Sequence, residues 1–204
     1  MSESLIVFLH GVGGRGADFA GLAEAWRDAL PGAVFAAPDG PEPFDMGGPG
    51  RQWFSVRGVT EANRPGRVAA ARPDFDRILA ATLARAGFAD RPGRVALVGF
   101  SQGSIMALDA LAHGRWPVAG VVAFSGRLAA PEPLAPARAT RLLLVHGMAD
   151  RVMPVAEAES AAQRFAAAGA TVTKRLLPGE GHTISPAGAE AARDYLAEVL
   201  GSRA

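Results

Sequence analysis

Cysteine is absent from the 204 residues. That excludes disulfides, thiolate metal sites and a cysteine nucleophile. Charge excess is absent too: 21 Lys and Arg against 20 Asp and Glu leave a formal net charge of +1. Nothing in that balance recruits nucleic acid or an anionic membrane. No apolar run approaches the ~20 residues needed to span a bilayer, so no stable membrane insertion is expected. The N-terminal stretch MSESLIVFLHG carries five consecutive apolar residues with no basic segment before them. It reads as the first strand of a cytoplasmic protein, not as a secretory signal.

What is present is core-forming material. Hydrophobic residues make up 49% and charged residues 20%, a globular composition, and the length suits one domain spanning 1–204. Short apolar runs at 5–9, 33–37, 94–99, 118–124, 141–146 and 171–177 read as strands. Most are continuous, as expected where both faces of a parallel sheet are covered. Helical patterns lie between them. Pro73 to Gly87 carries Phe75, Ile78, Leu79, Thr82 and Leu83 on one stripe. Residues 155–168 end at Gly169, and a last helix follows Ser185-Pro186, a fitting N-cap and N1 pair. The alternation predicts a doubly wound α/β fold, with helices on both faces of the sheet. Two stretches, 38–67 and 125–140, are Pro- and Gly-rich and too long for ordinary connectors.

The most informative stretch is RVALVGFSQGSIMALDALAHG, residues 94–114. Gly99-Phe100-Ser101-Gln102-Gly103 sits between a strand and a helix, the pattern of a nucleophile elbow. The turn is too tight for a large substituent at 99 or 103. It holds the serine in a strained conformation over a helix N-terminus, which favours negative charge. A serine hydroxyl needs a base to become a nucleophile. Of four histidines, His10 and His146 end apolar strands and His113 precedes Gly114 at a helix end, all structural positions. His182 stands in LPGEGHTISP, between the last strand and the last helix. The third member should fall between Ser101 and His182 in the chain. Asp150, just past strand 141–146, fits. Glu180 competes but is only two residues from His182, and Asp109 lies within the helix after the elbow and should point elsewhere.

Acyl transfer also requires donors for an oxyanion. The backbone N–H of Gln102 is one expected donor, and the glycine-rich loop LHGVGGRGADF (9–19) should supply the other. Gly11, Gly13 and Gly16 also satisfy a dinucleotide-binding fingerprint, with Asp39 roughly where a ribose-binding acid belongs. The histidine before the first glycine and the downstream Ser, Asp, His series favour the oxyanion loop.

FLHGVGG (8–14), RQWFSV (51–56), GFSQGSIMAL (99–108), AFSGRL (123–128), LLLVHGMADRVMP (142–154) and LPGEGHTISP (177–186) follow in that order. Through them the chain resembles the phospholipase/carboxylesterase family of α/β-hydrolases, which includes acyl-protein thioesterases. The resemblance implies an α/β-hydrolase fold with Ser101 as nucleophile, Asp150 as acid and His182 as base. It implies Val12 and Gln102 as backbone oxyanion donors. It departs from the family pattern at Ser55 (often Asp), at Ser104 (usually Gly) and in Val-Gly-Gly after His10-Gly11 (often Leu-Gly-Asp).

The expected activity is a serine carboxylesterase that cleaves short- to medium-chain acyl esters and needs no cofactor or metal. Thioesterase or lysophospholipase action on the same fold is an alternative, and a non-catalytic binding protein is another. Trp53, Phe54, Met46, Leu128 and Met153 are expected to line the acyl pocket, because they lie in or beside the rim loops; the apolar side chains of 38–67 equally suit a seal on the core edge. An apolar rim of that kind could also pack against a second copy of the chain.

Overall fold

A computed structural model describes residues 3–201; residues 1, 2 and 202–204 of the expected 1–204 domain lie outside the described residues. Six parallel strands form the central sheet: β1 (Ser4–Leu9), β2 (Ala33–Ala36), β5 (Val95–Phe100), β6 (Gly120–Phe124), β7 (Arg141–Gly147) and β8 (Thr171–Leu177). Their spatial order is β2-β1-β5-β6-β7-β8. Two short strands, β3 (Glu42–Pro43) and β4 (Arg51–Gln52), pair antiparallel apart from it.

Alternation along each strand sorts the core into two layers. Leu5, Val7, Leu9, Leu97, Val121 and Leu144 face one side. There they meet α2 (Arg64–Arg85), α3 (Gln102–Ala112) and α4 (Ala156–Ala167). Ile6, Phe8, Val98, Val122, Phe124 and Val145 face the other, against α1 (Ala20–Trp26) and α5 (Pro186–Gly201). This is the α/β-hydrolase architecture, with both faces of the sheet covered. Among the described residues no helix is long and apolar enough to cross a membrane.

One helix differs from its sequence reading. α2 begins at Arg64, nine residues before Pro73, and runs through that proline. Pro65 occupies the first turn, where a missing N–H costs nothing. An interior proline costs a helix about 3 kcal/mol. Burying Val68, Phe75, Leu79 and Leu83 returns about 1.5–3 kcal/mol each, so the stripe carries the helix past the breaker. Arg72, one residue earlier, adds a fork of two 2.9 Å bonds to the buried carboxylate of Asp109. Arg115 reaches the same carboxylate at 2.9 Å. Asp109 therefore ties α3 to α2 and points away from the elbow. His113 Nδ1 bonds the Asp109 carbonyl at 2.9 Å, closing the end of α3.

The connection after β1 moves outward to β2, and the connection after β2 returns across β1 to β5. The carboxyl ends of β1 and β5 therefore lie side by side while their following loops diverge, which is where open α/β sheets hold ligands. The register pairs Leu9 with Gly99 and Gly99 with Ala123, so the ends of β1, β5 and β6 are level.

Candidate active site

The elbow is built from what cannot fit. Ser101 has φ 52° and ψ −112°, a conformation that side chains other than glycine rarely adopt. A Cβ at 99 would lie 2.5 Å from Ser104 N, and one at 103 would fall on the Leu9 carbonyl. The glycines thus let strand β5, helix α3 and the end of β1 converge around the serine. Ser101 N–H donates to Phe124 O at 3.0 Å, anchoring the strained residue to β6.

Asp150 reaches the same edge from the turn after β7. Its side chain is fully buried, and Oδ1 accepts the N–H groups of Val152 (2.9 Å) and Met153 (2.8 Å). Oδ2 faces His182 Nδ1 at 2.7 Å. Burial alone would raise the Asp150 carboxyl, but the bonds from Met153 N–H, His182 and Val152 N–H outweigh it and hold the group below the ordinary carboxylate range. His182 comes from the loop between β8 and α5. Its Nε2 is 3.0 Å from Ser101 Oγ, and its ring lies 5.0 Å from that of Phe100. The donor to Asp150 is Nδ1–H, which leaves Nε2 as an acceptor for the serine proton. The geometry therefore aligns a hydroxyl, an imidazole whose Nε2 faces it, and a carboxylate bonded to the other ring nitrogen.

His146, also near this carboxylate, is held differently: its Nε2–H donates to Met153 O at 2.7 Å. Glu180 contributes its backbone carbonyl to Ala149 N–H at 2.8 Å and bonds neither histidine through its side chain.

Val12 lies in the loop after β1, and Gln102 follows Ser101 at the first position of α3. Neither backbone N–H has an acceptor among the described residues. The loop carrying Val12 is held at both ends. Gly13 N–H donates to Arg51 O and Arg51 N–H to Gly14 O, both at 2.9 Å. Trp53 Nε1–H donates to His10 O at 2.9 Å. The Gln102 side chain completes the bracket: its Oε1 accepts Trp53 N–H at 2.8 Å and its Nε2 donates to Phe54 O at 2.7 Å. One indole and one carboxamide thus fix the spacing between the two free N–H groups.

His10 is part of the same frame. Its Nδ1–H donates to Gly11 O at 2.7 Å, and its Nε2 accepts Gly40 N–H at 2.8 Å. Burial pushes its imidazole below the ordinary value, against the opposing pull of Gly11 O and of Asp39 and Asp18. A lowered value in the folded state means that the neutral ring stabilises the fold. That contribution is complete above the unfolded value of about 6.5 and is lost as pH falls through the lower folded value. The expected result is that wild type exceeds H10N in melting temperature by most near pH 8, with the gap narrowing toward pH 5. A gap that stays constant over that interval would remove His10 as its source.

Of the five residues expected to line an acyl pocket, Trp53 and Phe54 lie in the core and Met46 on the outer surface. Trp53 is 1% exposed and packs in the core against Phe75, ring centroids 5.5 Å apart. Phe54 is buried in the same cluster. The Gln102 bracket draws this pair inward, so they support the site from beneath. Met46 lies on the outer side of its turn, 74% exposed. Met153 is buried, with its Sδ 2.8 Å from Arg127 Nε, and Leu128 packs half-buried against the core layer that contains Met153.

A cavity of about 650 Å³ opens on the opposite layer and includes none of those five. Its walls include Val12, Phe19, Leu22, Phe100, His182 and Ile184. Sequence reasoning did not find it, because its walls come from three segments far apart in the chain. Among the described residues no group of three His, Cys, Asp or Glu side chains is arranged to hold a metal ion.

The chain is 34% identical over 196 residues to Esterase YpfH of Escherichia coli (strain K12), covering 96% of this chain and 82% of that protein. It superposes on the crystal structure of esterase PE8 with a TM-score of 0.87 and 35% identity, covering 98% of this chain and 94% of the other. The Bacillus cereus carboxylesterase has the same fold, with a TM-score of 0.81 at 19% identity, over 97% of this chain and 89% of that one. Residues 1–200 match the family described as Phospholipase/Carboxylesterase, and together with the E. coli relative this match shows that the chain belongs to that family.

Proposed function

We propose that the protein is a carboxylic ester hydrolase acting through an acyl-enzyme on Ser101. The observation that carries this reading is the relay from Ser101 Oγ to His182 Nε2 (3.0 Å) and from His182 Nδ1 to Asp150 Oδ2 (2.7 Å). Its similarity to an esterase at 34% identity supports it. His182 Nε2 takes the Ser101 proton as Oγ attacks the carbonyl carbon. Negative charge moves to the carbonyl oxygen, where the N–H groups of Val12 and Gln102 donate to it. Such donors are worth about 2.7–4 kcal/mol each to the transition state. His182 then gives the proton to the leaving oxygen, and the alcohol departs. Water, deprotonated by the same nitrogen, attacks the acyl-enzyme and releases the acid. Asp150 holds the imidazole in the required tautomer and stabilises it when charged. These steps are complete without a cofactor or metal.

The acyl group is short to medium in length and extends toward the layer that contains Leu128 and Met153, away from the cavity beside His182. Thioester cleavage is a second reading, supported by 24% identity to acyl-protein thioesterase 1 of Gibberella zeae over 96% of this chain and 90% of that protein. The tetrahedral intermediates are alike, so the oxyanion donors serve either substrate. The expected result is that a fluorophosphonate probe labels Ser101 alone, with one adduct per chain by peptide mass spectrometry. Wild type should turn over p-nitrophenyl butyrate faster than the octanoate and palmitate esters, and a matched thioester measures the second reading. Folded protein that neither labels nor turns over any ester of the panel is a binding protein, and the proposal fails.

A further inference from the structure

We propose that the cavity between the Val12 loop and the start of α5 receives the alcohol portion of the substrate, and that it selects uncharged or cationic leaving groups over anionic ones. This rests on the ester-hydrolase reading of Ser101 and His182.

The assignment follows from the four bonds of the tetrahedral carbon. One goes to Ser101 Oγ and one to the oxyanion held by Val12 and Gln102. The other two go to the acyl carbon and the leaving oxygen. The leaving oxygen must take its proton from His182 Nε2, so it lies on the imidazole side. The cavity has His182 in its wall, followed by Thr183, Ile184 and Ser185. A group bonded to the leaving oxygen enters this space. The acyl carbon points away from the imidazole, toward the opposite core layer. The cavity's size, about 650 Å³, falls within the range that encloses a drug-sized ligand.

Its chemistry sets the preference. Phe19, Leu22, Phe100 and Ile184 supply apolar walls, and no lysine or arginine is among the lining residues. Asp18 is the one carboxylate among the described lining residues. Its Oδ2 accepts Arg15 N–H at 2.8 Å, but the Arg15 guanidinium is turned to Asp39, at 3.1 Å (Nε) and 2.6 Å (Nη2), and is not a lining group. The N-terminus of α5 does not reverse the sign. Pro186 has no N–H, the N–H groups of Gly188 and Ala189 are taken by Ser185 Oγ at 3.2 Å and Ser185 O at 2.8 Å, and Ala187, whose N–H is left over, is not a lining residue. A phosphate- or sulfonate-bearing alcohol therefore meets a carboxylate with no lysine or arginine among the described lining residues to offset it, whereas a neutral aryl or quaternary ammonium group does not.

The test holds the acyl group at butyrate and varies the alcohol among ethyl, naphthylmethyl and matched neutral, trimethylammonium and sulfonate forms of equal leaving-group pKa. Wild-type kcat/KM is expected to rise about tenfold or more from ethyl to naphthylmethyl, and to be several-fold lower for the sulfonate than for its neutral and cationic counterparts. L22W and I184W fill the cavity and should lower the naphthylmethyl-to-ethyl ratio about tenfold. D18N should raise the sulfonate-to-neutral ratio about threefold at low salt, the size of a partly solvated charge pair. Naphthylmethanol should inhibit the wild type competitively, a readout that needs no variant. If the tryptophan variants change the dependence on acyl length and leave the alcohol ratio alone, the cavity holds the acyl chain and the proposal is wrong. A flat alcohol profile in protein that still labels at Ser101 also overturns it. Absence of both labelling and turnover instead overturns the ester-hydrolase reading beneath it.

Discussion

S101A is expected to lower kcat/KM for p-nitrophenyl butyrate by about 10⁴- to 10⁶-fold, with the melting temperature within a few degrees of wild type. Among the described side chains, the Ser101 hydroxyl bonds only His182, so its loss removes the proposed nucleophile and leaves the fold intact. The Cβ that packs beside Gly11 remains, 3.3 Å from the position of a Cβ there. The strained backbone is held by Ser101 N–H to Phe124 O and by the glycine contacts at 99 and 103, none of which involves the hydroxyl. H182A should cost a similar factor, because a hydroxyl without its base attacks about as poorly as no hydroxyl. The double variant should be no worse than either single one by more than about tenfold, since residues that act as a unit do not lose their effects additively. Purified S101A that retains turnover within about tenfold of wild type would move the nucleophile elsewhere. Double-variant losses equal to the product of the single ones would mean that the two side chains do not act in one step.

The strands and the elbow were legible because local physics decides them. Continuous runs such as LLLVH have no polar side to show to water, so they must be covered on both faces, and the sheet has them so. Gly99 and Gly103 could be read from the turn alone, and the contacts a Cβ would make there explain both. The start of α2 was not legible from Pro73, because local chemistry treats proline as a boundary while tertiary burial of Val68 and Phe75 overrides it. A second signal was present: Asn63-Arg64-Pro65 also offers a first-turn proline, with Val68 seven residues before Phe75. Which side Trp53 and Phe54 take was illegible for a related reason. An aromatic pair in a long loop could equally seal a core or face a ligand. The choice was made by Gln102, whose carboxamide bonds Trp53 N–H and Phe54 O. Nothing in the spacing of 53, 54 and 102 announces that bracket. The cavity beside His182 was illegible for the same reason, since its walls meet only where the segments that follow β1, β5 and β8 converge at the carboxyl edge of the sheet.

D150N is expected to lower kcat by about 10⁴-fold with little change in KM, although it replaces one atom. The reason lies in how the carboxylate is shared. Oδ1 accepts two backbone N–H groups, from Val152 at 2.9 Å and Met153 at 2.8 Å. Oδ2 accepts His182 Nδ1–H at 2.7 Å. Asparagine has a single oxygen, and the two backbone donors hold it in the Oδ1 position. Its amide NH₂ then faces His182, so donor would meet donor. The imidazole resolves this by carrying its proton on Nε2, the nitrogen proposed to receive the serine proton. Rotating the amide instead would set the NH₂ against two buried backbone donors, each costing about 1–3 kcal/mol when unsatisfied. Nitrogen-15 NMR of labelled histidine should therefore find the proton of His182 on Nδ1 in wild type and on Nε2 in D150N, at unchanged melting temperature. If the variant keeps the wild-type tautomer and loses less than about 100-fold, the amide has rotated, and the two backbone donors are not what orients this residue. If the tautomer changes while activity stays, His182 is not the base.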